Sequence, residues 1–165
     1  VLHEAGPDQS RDQPTDQPAG GRFDGPEHRF ALRVYFEDTD LSGVVYHANY
    51  LRYMERARSD MLRLAGIDQR ARIEAGGGAY AVADMRIAFK APARLDDPLL
   101  VVSRLKQVRA ASVVIHQQVR RDAAVLADAH VTAALVAASG RPVRQPADWI
   151  AIYRGLLAQG DTLNS

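Results

Sequence analysis

The segment Arg33–Arg58 carries the residue types from which a reactive site can be built. It reads Arg-Val-Tyr-Phe-Glu-Asp-Thr-Asp-Leu-Ser-Gly-Val-Val-Tyr-His-Ala-Asn-Tyr and continues as Leu-Arg-Tyr-Met-Glu-Arg-Ala-Arg. A carboxylate, Asp38 or Asp40, and an imidazole, His47, stand just before an amphipathic stretch with helical spacing. The first N–H groups of a helix have no partner within it, and its dipole favours negative charge at that end. A carboxylate and an imidazole placed there suit attack on a carbonyl. The residue types leave open which aspartate acts, and they leave open a plain Asx turn ahead of Gly43. A cation held by Asp38, Asp40 and His47 would have few ligands and no recognisable loop spacing, so no metal is expected.

Several elements must position these groups. Phe30, Leu32, Val34 and Phe36 alternate with Arg29, Ala31, Arg33 and Tyr35, which is the period of a strand with one buried face. After the polar loop, Asn49 reads as the N-cap and Gly66 as the stop of a helix of about four turns. Leu51, Met54, Arg58, Met61, Leu62 and Ala65 recur along one side, with Arg52, Glu55, Arg56, Asp60 and Arg63 mostly elsewhere. Residues 67–78 read as a short irregular helix or loop, closed by a flexible turn at Gly76, Gly77 and Gly78. Four stretches then show strand composition: Ala79–Ala91, Leu99–Val108, Ser112–Arg121 and Val125–Ala138. Their short links imply antiparallel neighbours. Pro142 and Pro146 end the last strand, and Ala147–Leu157 reads as a short C-terminal helix in which Trp149 and Tyr153 dock. Strand, long helix and four antiparallel strands predict an α+β hot-dog fold, a curved sheet of about five strands wrapped around one central helix.

Composition bounds what such a fold does. With 165 residues and 47% hydrophobic composition, one domain with a substantial core is expected. The formal charge of +1 offers no pull toward nucleic acid or anionic membrane. Cysteine is absent, which removes disulfides, thiolate metal sites and cysteine nucleophiles. The longest apolar run, Val131–Ala138, is too short for a membrane span, and the opening residues lack the pattern of a signal peptide. A soluble, cytoplasmic protein is expected. Residues 1–28, with four prolines and four glycines, read as a disordered arm that includes His28. The domain is expected over residues 29–158, with a frayed tail over 159–165.

Asp-Thr-Asp-x-x-Gly-Val-Val-Tyr-His-Ala-Asn-Tyr, followed by Tyr-Met-Glu-Arg-Ala-Arg and by Ala-Pro-Ala-Arg-Leu-Asp-Asp, resembles the acyl-CoA thioesterases of the 4-hydroxybenzoyl-CoA thioesterase family. It is most similar to the bacterial branch associated with the Tol-Pal envelope system. The resemblance covers about Arg29 to Tyr153. It implies that Asp40 is the essential acid, that His47 is the site histidine, and that backbone N–H groups at Tyr46 or His47 polarise the thioester carbonyl. It further implies an acyl-CoA substrate with no other cofactor, a CoA-binding turn at Lys106, Arg109 and Ser112, and an acyl tunnel lined by Met54, Met61 and Val82. Subunits of the family pair, so a homodimer or homotetramer is implied, and an acyl carrier protein could present the thioester in place of CoA. One departure stands out: Phe36 occupies a position that is often Tyr in the nearest relatives, and Tyr35 should face the opposite side of the strand.

The chemistry has a physical basis of its own. A thioester carbonyl is electrophilic and its thiolate leaves readily, so a carboxylate can act as nucleophile or as general base on water. Helix N–H groups then stabilise the oxyanion, each worth about 3 kcal/mol where one has been removed. Two other classes compete. A hydratase or dehydratase of the same fold would use a carboxylate on the long helix, for which Glu55 is available; a non-catalytic acyl-CoA or acyl-carrier-protein binding module would keep the tunnel without needing Asp40. His116 and His130 read as exposed or interface residues on strands, and Arg56 and Arg58 as a solvated or salt-bridged helix face.

Overall fold

The computed structural model describes residues 16–162. The elements follow as β1 (Arg22–Asp24), β2 (Glu27–Arg33), a 3-10 turn (Phe36–Asp38), α1 (His47–Leu64), α2 (Gln69–Glu74), β3 (Ala79–Phe89), β4 (Pro98–Val108), β5 (Ser112–Arg121), β6 (Ala124–Val136) and α3 (Ala147–Thr162). All strands join one antiparallel sheet in the order β1-β2-β4-β5-β6-β3, with α1 against β2, β4 and β5. This is the expected hot-dog arrangement with a sixth strand added. Among the described residues, no helix is long and apolar enough to cross a membrane.

The sixth strand corrects the expected arm. Arg22–Asp24 pairs with Glu27–Arg29, and His28 is fully buried, stacked near Phe30 and edge-on to Phe23. Proline and glycine counts hid this hairpin, in which Gly25 at φ 56 makes the turn that Pro26 follows. Residues 1–15 lie outside the described part. The expected tail is corrected too, because α3 runs to Thr162; residues 163–165 lie outside the described part.

Alternation along the strands decides what α1 packs on. Val113, Ile115, Gln117 and Val119 of β5 and Ala127, Ala129, Val131, Ala133 and Leu135 of β6 are buried. On α1 the buried face is Tyr50, Tyr53, Met54, Ala57, Met61 and Leu62, joined by Asn49 and Asp60. Leu51 is exposed and Ala65 is the C-cap, so these two leave the expected stripe, and Asp60 enters the core instead. Burying Met54 and Met61 contributes about 2 kcal/mol each. Gly66, at φ 87, ends the helix as expected. At the other end, α3 is held by Tyr153, whose hydroxyl lies 2.9 Å from that of Tyr80, while Tyr80 donates to Gln145.

Candidate active site

The strand expected to run through Phe36 stops at Arg33. Val34 still donates to the Asp97 carbonyl at 3.0 Å, and the chain then turns through Phe36–Asp38. Tyr35 and Phe36 therefore do not lie on opposite faces of a strand; both are exposed, Phe36 at 82%. The turn is closed by Asp38, whose Oδ2 accepts the Tyr35 N–H at 2.8 Å. Its Oδ1 accepts Asn49 Nδ2 at 2.7 Å, and its carbonyl accepts the Tyr46 N–H at 2.9 Å. Asp38 is 5% exposed and joins the strand exit to the start of α1. Asn49 is not the N-cap: it sits inside the first turn with its side chain turned inward to Asp38.

Asp40 has a different setting two residues later. Its N–H donates to the Val44 carbonyl and its carbonyl accepts the Gly43 N–H, each at 3.0 Å. Gly43, at φ 77, supplies a left-handed conformation that a side chain would resist. Asp40 Oδ1 accepts the Ser42 N–H at 2.8 Å and also the Ser42 hydroxyl. The Asx turn allowed by the sequence is thus present. The Ser42 hydroxyl, followed by its N–H, holds the Asp40 carboxyl below its ordinary value, so it is ionised at neutral pH while remaining exposed. Ser42 was missed in the sequence reading, although the Asp-x-Ser spacing could have found it.

The loop rests on Ala-Pro-Ala-Arg-Leu-Asp-Asp, residues 91–97. Val44 bridges Arg94, Val45 donates to the Ala93 carbonyl at 2.8 Å, and the Ala93 N–H reaches the Tyr50 hydroxyl at 2.9 Å. Asp97 accepts the Arg94 N–H and is paired with Arg121 at 2.6 Å, while Asp96, at φ 67, makes the corner. Ala91–Asp97 is a shelf that fixes the height of the loop against α1. Tyr50 and Ala93 are its joint, which the sequence reading did not single out.

His47 is the first residue of α1 and is exposed. Its ring lies 4.5 Å from that of Tyr46 and meets Phe89 edge-on at 6.2 Å. With Val45, Tyr50, Phe89, Lys90 and Pro92 it lines an open groove of about 320 Å3. Among the described residues, no hydrogen bond joins His47 to Asp40. Tyr46 provides no side-chain cap. Its own N–H is occupied by the Asp38 carbonyl, which corrects the expectation that it would serve an oxyanion. The N–H groups of His47 and Ala48 head the helix and have no backbone partner among the described residues.

Other expected site residues are dispersed. Met54 and Met61 are packed in the core rather than lining a tunnel. Val82 lines a cavity of about 110 Å3 between α1 and the sheet, with Glu55, Arg58, Leu62, Tyr80 and Ile115. Glu55 there accepts the Ser59 hydroxyl at 2.8 Å, and Arg58 donates to Gln117 at 2.9 Å. Lys106 sits at the bulge of β4, and Arg109 and Ser112 close the β4–β5 turn. That turn is about 35 Å along β4 from Pro98, at the opposite end from Asp40.

Comparison with known proteins bears on this geometry. The sequence profile of the thioesterase-like superfamily matches residues 34–152. The acyl-CoA thioesterase YbgC of Haemophilus influenzae is 39% identical over 107 residues, 65% of this chain and 79% of that protein. The acyl-CoA thioester hydrolase YbgC of Escherichia coli O6:H1 is 44% identical over 91 residues, 55% of this chain and 67% of that protein. Among solved structures, a probable thioesterase from Bartonella henselae superposes with a TM-score of 0.68 at 37% identity, covering 73% of this chain and 99% of that one.

Proposed function

The chain belongs to the thioesterase-like superfamily, and from that membership and the geometry of its loop we infer that it is an acyl-CoA thioester hydrolase in which Asp40 carries the chemistry. The observation that carries the assignment is the contrast within Asp-Thr-Asp: Asp38 is buried and fully engaged, while Asp40 is ionised, exposed and anchored through one oxygen. A carboxylate held this way keeps Oδ2 for a thioester carbonyl or for the water that attacks it. The uncapped N–H groups of His47 and Ala48 would receive the developing oxyanion, and the His47 ring, at the rim of the groove, would orient the carbonyl or water. Glu55, on which a hydratase would depend, is turned to Ser59 on another part of α1.

Two features favour a site completed by a second copy. Tyr35, Phe36, Leu41, Tyr46, Phe89 and Leu95 are exposed around the loop, an unusual density of apolar surface. The eleven residues of β3 end the sheet, and among the described residues one of its edges is unpaired. A homodimer joined there would cover both, and the acyl chain would lie between α1 and β3. The CoA nucleotide would reach Lys106, Arg109 and Ser112 only from a neighbouring chain, given the distance within one.

The test is release of free thiol from short aliphatic, long aliphatic and aromatic acyl-CoAs. Turnover of at least one class is expected, and the ranking names the acyl preference. Tight binding of every acyl-CoA without thiol release would replace the hydrolase by a binding module.

A further inference from the structure

On the sheet face turned away from α1, the pairing of β5 with β6 sets His116 directly across from His130 and Gln118 across from Asp128. The alternation that buries Ile115, Gln117, Ala129 and Val131 under the helix leaves these four on the outer side. The imidazoles stack with centroids 4.6 Å apart, and His116 Nε2 lies 3.1 and 3.2 Å from the two oxygens of Asp128. One ring nitrogen from each histidine and one Asp128 oxygen fall within 4.8 Å of one another. Ligand atoms around a tetrahedral zinc stand about 3.3 Å apart, so small side-chain rotations would close the set.

We propose that His116, His130 and Asp128 form a binding site for a divalent zinc-class cation on the outer face of the sheet, with a fourth position open to water. Three facts beyond proximity support it. The ligands come from paired strands, so their backbone is rigid before any ion arrives. Gln118 Nε2 donates to Asp128 Oδ2 at 2.6 Å, the kind of outer hydrogen bond that orients a ligating carboxylate. His130 is exposed and the other two are half-buried, so an ion has access without unfolding.

The ligand types select the metal. Two imidazoles and one carboxylate suit Zn2+, Co2+ or Ni2+, whereas Ca2+ and Mg2+ need more oxygen ligands. Charge around the site sets a limit on affinity. Arg104, across from His116, is matched by Glu27 at 3.3 Å, and Arg120 donates to Gln118 at 2.9 Å. Arg86, across from His130, and Lys90, which acts on Asp128, leave positive charge beside it. Affinity is therefore expected in the micromolar range rather than tighter.

Calorimetric titration of chelator-treated protein with Zn2+ tests this, without reference to thioester turnover. One ion per chain is expected, with His130→Ala and His116→Gln each weakening it at least about tenfold. Co2+ should give the visible absorption of a four-coordinate site in the wild type alone, and excess Mg2+ should not displace it. Both variants should unfold like the wild type without metal; if His116→Gln does not fold, the exposed His130→Ala decides alone. Wild-type affinity in His130→Ala would overturn the proposal. So would the absence of Zn2+ binding by the wild type up to about 0.1 mM.

Discussion

Each end of α1 has an aspartate and a histidine, and the fold treats the two pairs in opposite ways. Near its C-terminus, Asp60 and His28 are both buried and bonded at 2.7 Å. Asp60 also accepts the Gly21 N–H at 2.8 Å and Arg63 at 2.6 Å. At its N-terminus, Asp40 and His47 are exposed and flank six loop residues; Asp40 bonds to Ser42, and among the described residues His47 makes no side-chain hydrogen bond. The same two residue types make a clamp where every oxygen is taken, and a candidate site where one oxygen and one ring are left available. What separates the clamp from the candidate site is the number of free lone pairs, not residue identity.

The clamp also explains the charge states. Burial holds the His28 imidazole neutral, against the opposing pull of Asp60. Asp60 is held ionised, because its three donors outweigh the burial that opposes ionisation. His28 then donates from Nε2, and its buried Nδ1 is an acceptor without a partner among the described residues. An unpaired acceptor costs less than a buried cation would. The pair ties the β1–β2 hairpin to α1, which is why residues 22–28 belong to the domain.

Changes at the two ends should therefore separate along two axes. The largest effect belongs to Asp40→Asn, for which turnover should fall by about a thousandfold, near 4 kcal/mol in the barrier. Its unfolding midpoint should move little, since the amide oxygen can still accept from Ser42. Asp60→Ala strands the Gly21 N–H and the buried His28 Nε2 and releases the exposed Arg63 to solvent, so chemical denaturation should report a loss of about 3 kcal/mol. Turnover per folded molecule should persist. Next comes Gly21→Ala, where a Cβ would stand 2.5 Å from the Arg29 carbonyl oxygen and 2.7 Å from His28 Nε2. A melting curve should show roughly 2 kcal/mol lost, and an unchanged melt would mean that the hairpin is looser than described.

The smallest effect is a pH dependence. The folded protein holds His28 below its ordinary value, so between that lowered value and about pH 6.5 the unfolded chain binds more protons. Stability should fall as pH drops from about 6.5, by at most about 1.4 kcal/mol per pH unit from this group. Asp60, also lowered, adds its loss only as pH falls below about 3.9. His28→Gln keeps a donor to Asp60 but does not titrate, so its urea midpoint should drop less between pH 7.5 and 5.5. Equal drops in both proteins would assign the effect to other groups.

The fold was legible wherever burial follows a period. β3 to β6 lie within two residues of where alternation placed them, and the helix end at Gly66 needed only one left-handed residue. The turn at Asp40 and the place of His47 at the start of α1 were also legible, through the spacing of their loop. The rest depended on distant partners. Asn49 looks like a cap, but Asp38, eleven residues earlier, draws its side chain inward. Asp60 looks solvated on a helical wheel until the hairpin covers it with His28 and Gly21. Met54 and Met61, placed along a tunnel by the resemblance, are buried in the two core clusters. His116 and His130 become neighbours only once the β5–β6 register is known.

The most direct test of the two-ended account measures both properties on the same samples of wild type, Asp40→Asn and Asp60→Asn: thiol release from the preferred acyl-CoA, and the denaturant midpoint. The account predicts a crossing, with Asp40→Asn folded as well as wild type but slower by orders of magnitude, and Asp60→Asn less stable but active while folded. Wild-type turnover by a well-folded Asp40→Asn protein would contradict it and move the chemistry away from the Asp40 loop.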